Sequence, residues 1–225
     1  MKVTRDKRAS RWDAHRQERR VALVDAAILA IREHGAGVGM DEVAAQAATS
    51  KTVVYRHFAT RTLLYVAVCA RVADVLLGQI REAVTGAAGP RDQVAAGIEA
   101  YLRLIEHDPE VYRFVVHRPL VDRPLVDTAT GHGPDPAPEP DPVADLVTVI
   151  GDEAAAVIAE QLRRTGAATV AAVPWGHGLV GLVRGAADNW LVRPAGMTRA
   201  ELATHLTDLA WAGISGVLAA SEEQS

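Results

Sequence analysis

The residues of this chain best suited to chemistry are Lys51, Thr52, Tyr55 and Arg56, with Ser50 before them and His57 after. They offer an ammonium, a guanidinium, hydroxyls and a phenol, with no carboxylate among them. On a helix these types form a cationic, hydroxyl-bearing face. Held at a fixed angle, that face is what a DNA major groove admits, because base edges and phosphates are read by such donors.

Two elements must hold that face in place. In Asp41 to Phe58, DEVAAQAATSKTVVYRHF, Val43, Ala44 and Ala47 recur at the spacing of one buried helical stripe. Val54 and Phe58, four residues apart, point the same way on a second helix. Ala48-Thr49-Ser50 between them leaves room only for a sharp corner. Ser50 is a good N-cap, since its hydroxyl can accept an orphan backbone N–H. The expectation is a helix-turn-helix whose second helix reads DNA through Ser50, Lys51, Thr52, Val53, Tyr55 and Arg56, with His57 donating to a phosphate.

The run TSKTVVYRHFATRTLL resembles the recognition helix and following helix of TetR-type transcriptional regulators, and RRVALVDAAILAIREHGAG resembles their first helix. The resemblance covers roughly residues 15 to 68 and rests on residue type, order and spacing together. It implies that Val54 and Phe58 are core, and that Arg61 stands where the family usually has a Lys, keeping the charge with a different phosphate geometry. Two further departures are Ala48, where the family often has Gly, and Gly39, where it often has a Ser or Thr cap. For function it implies a homodimeric repressor released from a palindromic operator when a small molecule binds.

Charge patterning points the same way. The chain carries net −4 overall, which argues against general nucleic-acid coating. Residues 1–61 hold 12 Lys/Arg against 7 Asp/Glu, whereas residues 62–225 hold 12 against 21. Positive charge is thus concentrated on the segment expected to meet DNA, much of it in Lys2, Arg5, Lys7, Arg8, Arg11, Arg16, Arg19 and Arg20. Residues 1–14 read as a basic flexible arm, either solvated or settling on DNA.

The rest is expected to be all-α: residues 15–62 form the DNA-binding domain and 63–225 a larger helical effector-binding and dimerisation domain. Thr60 caps a long helix through Leu63, Leu64, Val68, Val72 and Val75 towards Ile80, broken at Gly86 to Pro90. Helices follow over about 91–106, from Pro109, over about 143–164, over 174–191 and over 198–219. Residues 127–143, rich in Pro and acids, read as a polyproline-like loop. Candidate effector-pocket residues are Tyr101, Leu104, Phe114, His117, Trp175 and Trp190, and Leu- and Val-rich surroundings favour an apolar effector. In the last two helices Thr198 and Glu201 form a capping box. Gly181, Gly185, Leu206, Leu209 and Ile214 are candidates for a dimer interface.

Gly176-His-Gly178-Leu-Val-Gly181 spells GxGxxG, but Pro174 and Trp175 interrupt the junction and no second strand supplies the acid. There is no nucleophile elbow, P-loop lysine or CxxC, the eight histidines are scattered, and Cys69 lies in an apolar run. No catalytic residue, metal site or cofactor is therefore expected. No uninterrupted membrane-length apolar stretch and no signal-peptide core are read, which places the protein in the cytoplasm. The rival classes are an architectural DNA-binding protein, and a small-molecule-binding protein or enzyme with an appended basic helix.

Overall fold

The computed structural model describes residues 3–117 and 142–222. Within them the chain is helical throughout: α1 (Val3–His34), α2 (Met40–Gln46), α3 (Lys51–His57), α4 (Arg61–Thr85), α5 (Pro90–His107), α6 (Pro109–His117), α7 (Pro142–Arg164), α8 (Ala172–Val192) and α9 (Arg199–Glu222). A 3-10 turn over Thr169–Ala171 precedes α8. The all-α reading holds. Residues 127–141 of the Pro-rich segment lie outside the described residues, and Pro142 already belongs to α7.

The helix boundaries follow from local chemistry. Helix α1 stops at Gly35, whose φ of +84° suits a residue without Cβ and whose N–H bonds back to the Ile31 carbonyl at 2.8 Å. Thr60 caps α4, its Oγ1 accepting from the Leu63 N–H at 3.1 Å. Pro90 opens α5, where its missing N–H costs nothing. The Thr198 capping box forms as expected: Thr198 donates its N–H to Glu201 at 2.8 Å, and Glu201 donates its own N–H to Thr198 Oγ1 at 3.3 Å. The Thr198 N–H, and then its hydroxyl, both donating to the carboxylate at 2.8 Å, hold the Glu201 carboxyl below its ordinary pKa. Most boundaries fall within a few residues of expectation, but α1 begins at Val3, inside the segment read as a flexible arm.

The chain divides into two compact units, and the division falls within α4, after Arg71. The first unit holds α1–α3, the start of α4 and, from Glu110, α6. Its core is Leu23, Ala27 and Ile31 of α1, Val43 and Ala44 of α2, Val54 of α3, Phe58, and Leu64, Tyr65 and Val68 of α4. Helix α6 joins this core directly. Phe114 lies 5.4 Å from the Tyr65 ring, and the Tyr65 hydroxyl donates to the Val115 carbonyl at 2.9 Å. A small apolar cavity lies among Ala27, Ile31, Met40, Leu64, Val68 and Phe114.

The second unit holds the rest of α4 with α5 and α7–α9. Helix α5 packs on α9, where Arg91 pairs with Asp208 at 2.5 Å and Arg199 with Glu106 at 2.7 Å. Helices α7 and α8 pack most closely, and Gly176, one glycine of the GxGxxG string, explains how. That string is mid-helix, so no phosphate-binding turn exists there. A Cβ on Gly176 would lie 2.5 Å from the Ala155 backbone N and 2.6 Å from the Gly151 carbonyl oxygen, so Gly176 is where two helix backbones cross. Gly176→Ala is expected to cost about 1–3 kcal/mol by forcing the helices apart. A drop in the urea midpoint at constant m-value would show it; an unchanged midpoint would mean that the crossing yields without strain.

By length and composition α4 is apolar enough to cross a membrane, which the sequence reading did not anticipate. Its Leu64, Tyr65, Val68 and Cys69 are buried in the first unit's core, and 28% of the apolar window as a whole is buried.

Candidate nucleic-acid interface

The corner between α2 and α3 is built from backbone. Thr49 donates its N–H to the Ala44 carbonyl at 2.9 Å and Ala48 to Ala45 at 3.0 Å, which requires Ala48 at φ +47°. A left-handed alanine costs roughly 1 kcal/mol, which glycine would avoid. After the corner, Ser50 adopts an extended conformation and its Oγ accepts from the Val53 N–H at 3.4 Å, the expected N-cap. At the start of α2, Gly39 has no side chain to cap with, but its N–H donates to the Glu42 carboxylate at 2.9 Å. Half of a capping box thus compensates for the missing Ser or Thr.

Two buried anchors set the rotation of α3. Val54 and Phe58 are both wholly buried, as expected. Rotation about that line leaves Lys51, Thr52, Tyr55 and Arg56 exposed, with Val53 and His57 half-buried. Tyr55 keeps 41% of its surface exposed, unusually much for a large ring that could be packed. Ala47, expected in the buried stripe of α2, is only half-buried because it closes that helix as its C-cap.

Two residues that the sequence reading did not single out shape this face. Arg20 of α1 donates Nη1 to the His57 carbonyl at 2.6 Å, satisfying an orphan acceptor at the end of α3. Its guanidinium carbon also lies 4.1 Å from the Phe58 ring centroid, a cation–π contact. In sequence Arg20 was one of many N-terminal cations, and the 37 residues separating it from His57 hid its role. The second is Asp41 of α2, whose carboxylate pairs with the Lys51 ammonium at 2.8 Å and raises the Lys51 pKa. The acid-free character of α3 is therefore a property of its own sequence and not of its surroundings.

His57 lies in an electropositive setting. Partial burial lowers its pKa, and the charges of Arg16, Arg56, Arg19 and Arg20 lower it further. At neutral pH its ring is held uncharged, offering one N–H donor. Arg61 differs from expectation in one respect. Its Nη2 donates to the Val38 carbonyl at 2.7 Å, so part of its fork braces the α1–α2 loop. Replacing Asp41 by Asn is expected to release Lys51 and tighten binding to any duplex by roughly 2–5-fold at low salt, fading as salt rises. Titration of matched and scrambled duplexes checks this; weaker binding would mean that Asp41 orients Lys51 towards DNA.

The other expected site residues do not share one setting. Tyr101 and Leu104 are half-buried on α5. Phe114 is core to the first unit, and the His117 side chain lies outside the described residues. Trp175 packs against Ile158, Leu162 and Ala172, and Trp190 donates Nε1 to the Met197 carbonyl at 2.8 Å, closing the α8–α9 connection. Of the proposed dimer residues, Gly181 and Gly185 are exposed with open space before them, and Leu209 is 61% exposed. Leu206 instead packs into its own unit, exposed to only 6%, alongside Leu202 and Ala203. The Ile214 side chain lies outside the described residues.

Comparison with known proteins agrees with this geometry. Residues 23–68 match the family described as bacterial regulatory proteins, tetR family, and residues 79–225 match the tetracyclin repressor-like C-terminal domain. An uncharacterized HTH-type transcriptional regulator of Mycobacterium tuberculosis (strain H37Rv) is 31% identical over 219 residues, covering 97% of this chain and 86% of the relative. The HTH-type transcriptional activator FasR of Mycolicibacterium smegmatis is 38% identical over 112 residues, 49% of this chain and 51% of that protein. In three dimensions the chain is similar to FadR of Bacillus subtilis, solved in complex with stearoyl-CoA. The TM-score is 0.63 at 13% identity, over 84% of this chain and 96% of that one, a likeness of fold alone.

Proposed function

The chain belongs to the TetR family of transcriptional regulators, and from that premise we propose that it is a homodimeric repressor gated by a small molecule. The observation that carries the DNA half is the orientation of α3: Val54 and Phe58 bury one side and present Thr52, Tyr55 and Arg56 on the other. Thr52 and Tyr55 read base edges, while Lys51, Arg56, His57 and the free part of the Arg61 fork hold phosphates. Two such helices about one duplex turn apart read an inverted repeat, which a homodimer joined through exposed Gly181, Gly185 and Leu209 provides. It works in the cytoplasm, where its DNA is, and performs no catalysis.

Gating requires the effector to bind one conformation better than the other. Helix α4 begins with Arg61 beside the DNA-reading helix and continues into the second unit, so a tilt of α4 moves α3. Tyr65 ties α6 to the same movement through Val115 and Phe114. The effector carries an apolar group; the fold shared with a stearoyl-CoA-bound regulator favours testing a long-chain acyl thioester first. Selection of bound fragments from random and genomic DNA tests the reading, and a short enriched inverted repeat supports it. Loss of that complex on adding stearoyl-CoA, but not free coenzyme A, supports the effector class. No enrichment at low salt, with or without acyl thioester, would overturn the operator-reading role. Activation is a second reading, favoured by the partial match to an activator; a reporter behind the operator separates the two.

A further inference from the structure

The small apolar cavity of the first unit lies where α1, α2, α4 and α6 converge, and its volume is about 20 Å³. Ala27, Val43, Val68 and Phe114, one from each of those helices, are buried, so its depth is carbon. Among the described residues that line it, only Gly39 and Arg61 are half-buried and not fully buried, and they mark its mouth. A water needs roughly 10–15 Å³ and about two to four polar partners. The space suffices for one, but carbon walls do not supply the partners, so a short alkyl group is the better occupant. A benzene ring, which fills a cavity of about 150 Å³, is excluded by size. At the mouth, Arg61 donates Nη2 to the Val38 carbonyl at 2.7 Å, and the rest of its fork remains to receive an anion. A carbon-walled space closed by a guanidinium is complementary to an anion with a short apolar tail.

We propose that this cavity binds a short-chain carboxylate of about three carbons, its carboxylate on the Arg61 fork and its alkyl end between α1, α2, α4 and α6. The site is separate from the effector site of the second unit. Its occupant takes the donors that hold a phosphate in the DNA complex, so a loaded head grips every duplex less tightly. That consequence rests on the phosphate role proposed above for Arg61, whereas binding of the acid does not.

Sodium propionate is the probe, with sodium chloride at equal ionic strength as the control. The full chain is expected to bind propionate with a dissociation constant on the order of 1 mM, within reach of a ligand of about five heavy atoms. At about 20 mM it therefore raises the thermal midpoint by a few degrees over the chloride control. Val68→Ile adds one methylene to a wholly buried wall, and is expected to hold or exceed the wild-type midpoint in chloride while losing the propionate shift. Arg61→Gln, at the mouth, is expected to weaken propionate binding by about tenfold or more. No shift in the wild type would reduce the cavity to a packing gap and overturn the site. An equal shift in a folded Val68→Ile would overturn it as well, by placing the acid elsewhere. If Val68→Ile does not fold, Arg61→Gln decides, and an unchanged shift in that variant overturns the site. On DNA, propionate is expected to weaken the selected repeat and its scrambled form by the same factor, roughly fivefold. Propionate binding that needs Arg61 but leaves duplex affinity unchanged would uphold the site and remove Arg61 from the phosphate contacts.

Discussion

Tyr55→Ala is expected to abolish discrimination between the operator and a scrambled duplex, while leaving the salt slope and the thermal midpoint unchanged. The ring is 41% exposed and is not among the residues that fill the head's core, so its removal creates no cavity. It sits one position after the buried Val54, at the centre of the face that α3 presents. Removing a base-edge interaction from each of two half-sites costs about 1–3 kcal/mol apiece, so a dimer loses roughly 30-fold or more in preference. Thr52→Ala, one helical turn earlier on the same face, is expected to act in the same direction. Operator and scrambled duplex titrated across a salt series supply the measurement. If Tyr55→Ala retains the wild-type preference, α3 is not the reading helix.

Phe58→Ala is expected to cost about 3–5 kcal/mol, the typical loss for a wholly buried aromatic ring. Phe58 closes α3, its N–H bonding to the Val54 carbonyl at 2.9 Å, and its ring carries the Arg20 guanidinium. A loss of that size approaches the whole stability of a small domain, so DNA binding disappears with the fold of the first unit. Arg20→Ala is expected to cost about 2 kcal/mol, because it removes a charged donor from the His57 carbonyl together with the ring interaction. The two losses should be less than additive in the double variant, since Arg20 and Phe58 touch. Urea unfolding followed by circular dichroism measures all three. Full additivity would mean that Arg20 stabilises the head through His57 alone.

How much was legible can be judged from particular residues. Val43, Ala44, Val54 and Phe58 were recognisable as core because helical periodicity within a few residues decides which side is apolar. Ser50, Thr60 and the Thr198–Glu201 pair were legible because capping is local chemistry, complete within one turn. Gly176 lies mid-helix, and its close crossing with the α7 backbone at Ala155 required the partner helix to be seen. The residues expected to line an effector pocket are the least legible. Phe114, Trp175 and Trp190 share only their size, and size does not say which neighbour fills the space.

The sequence by itself determined the all-α class, the helix-turn-helix with its exposed Lys51, Thr52, Tyr55 and Arg56, and the concentration of positive charge before residue 61. All of these depend on residues within a few turns of one another or on composition. Only the tertiary structure decided that Arg20 holds the end of α3, that Asp41 restrains Lys51, that α6 packs in the same unit as α3, and that Leu206 is core. Each of those interactions joins elements distant in the chain. Their partners are chosen by how helices pack and where unsatisfied carbonyls and charges come to lie, which no local pattern specifies.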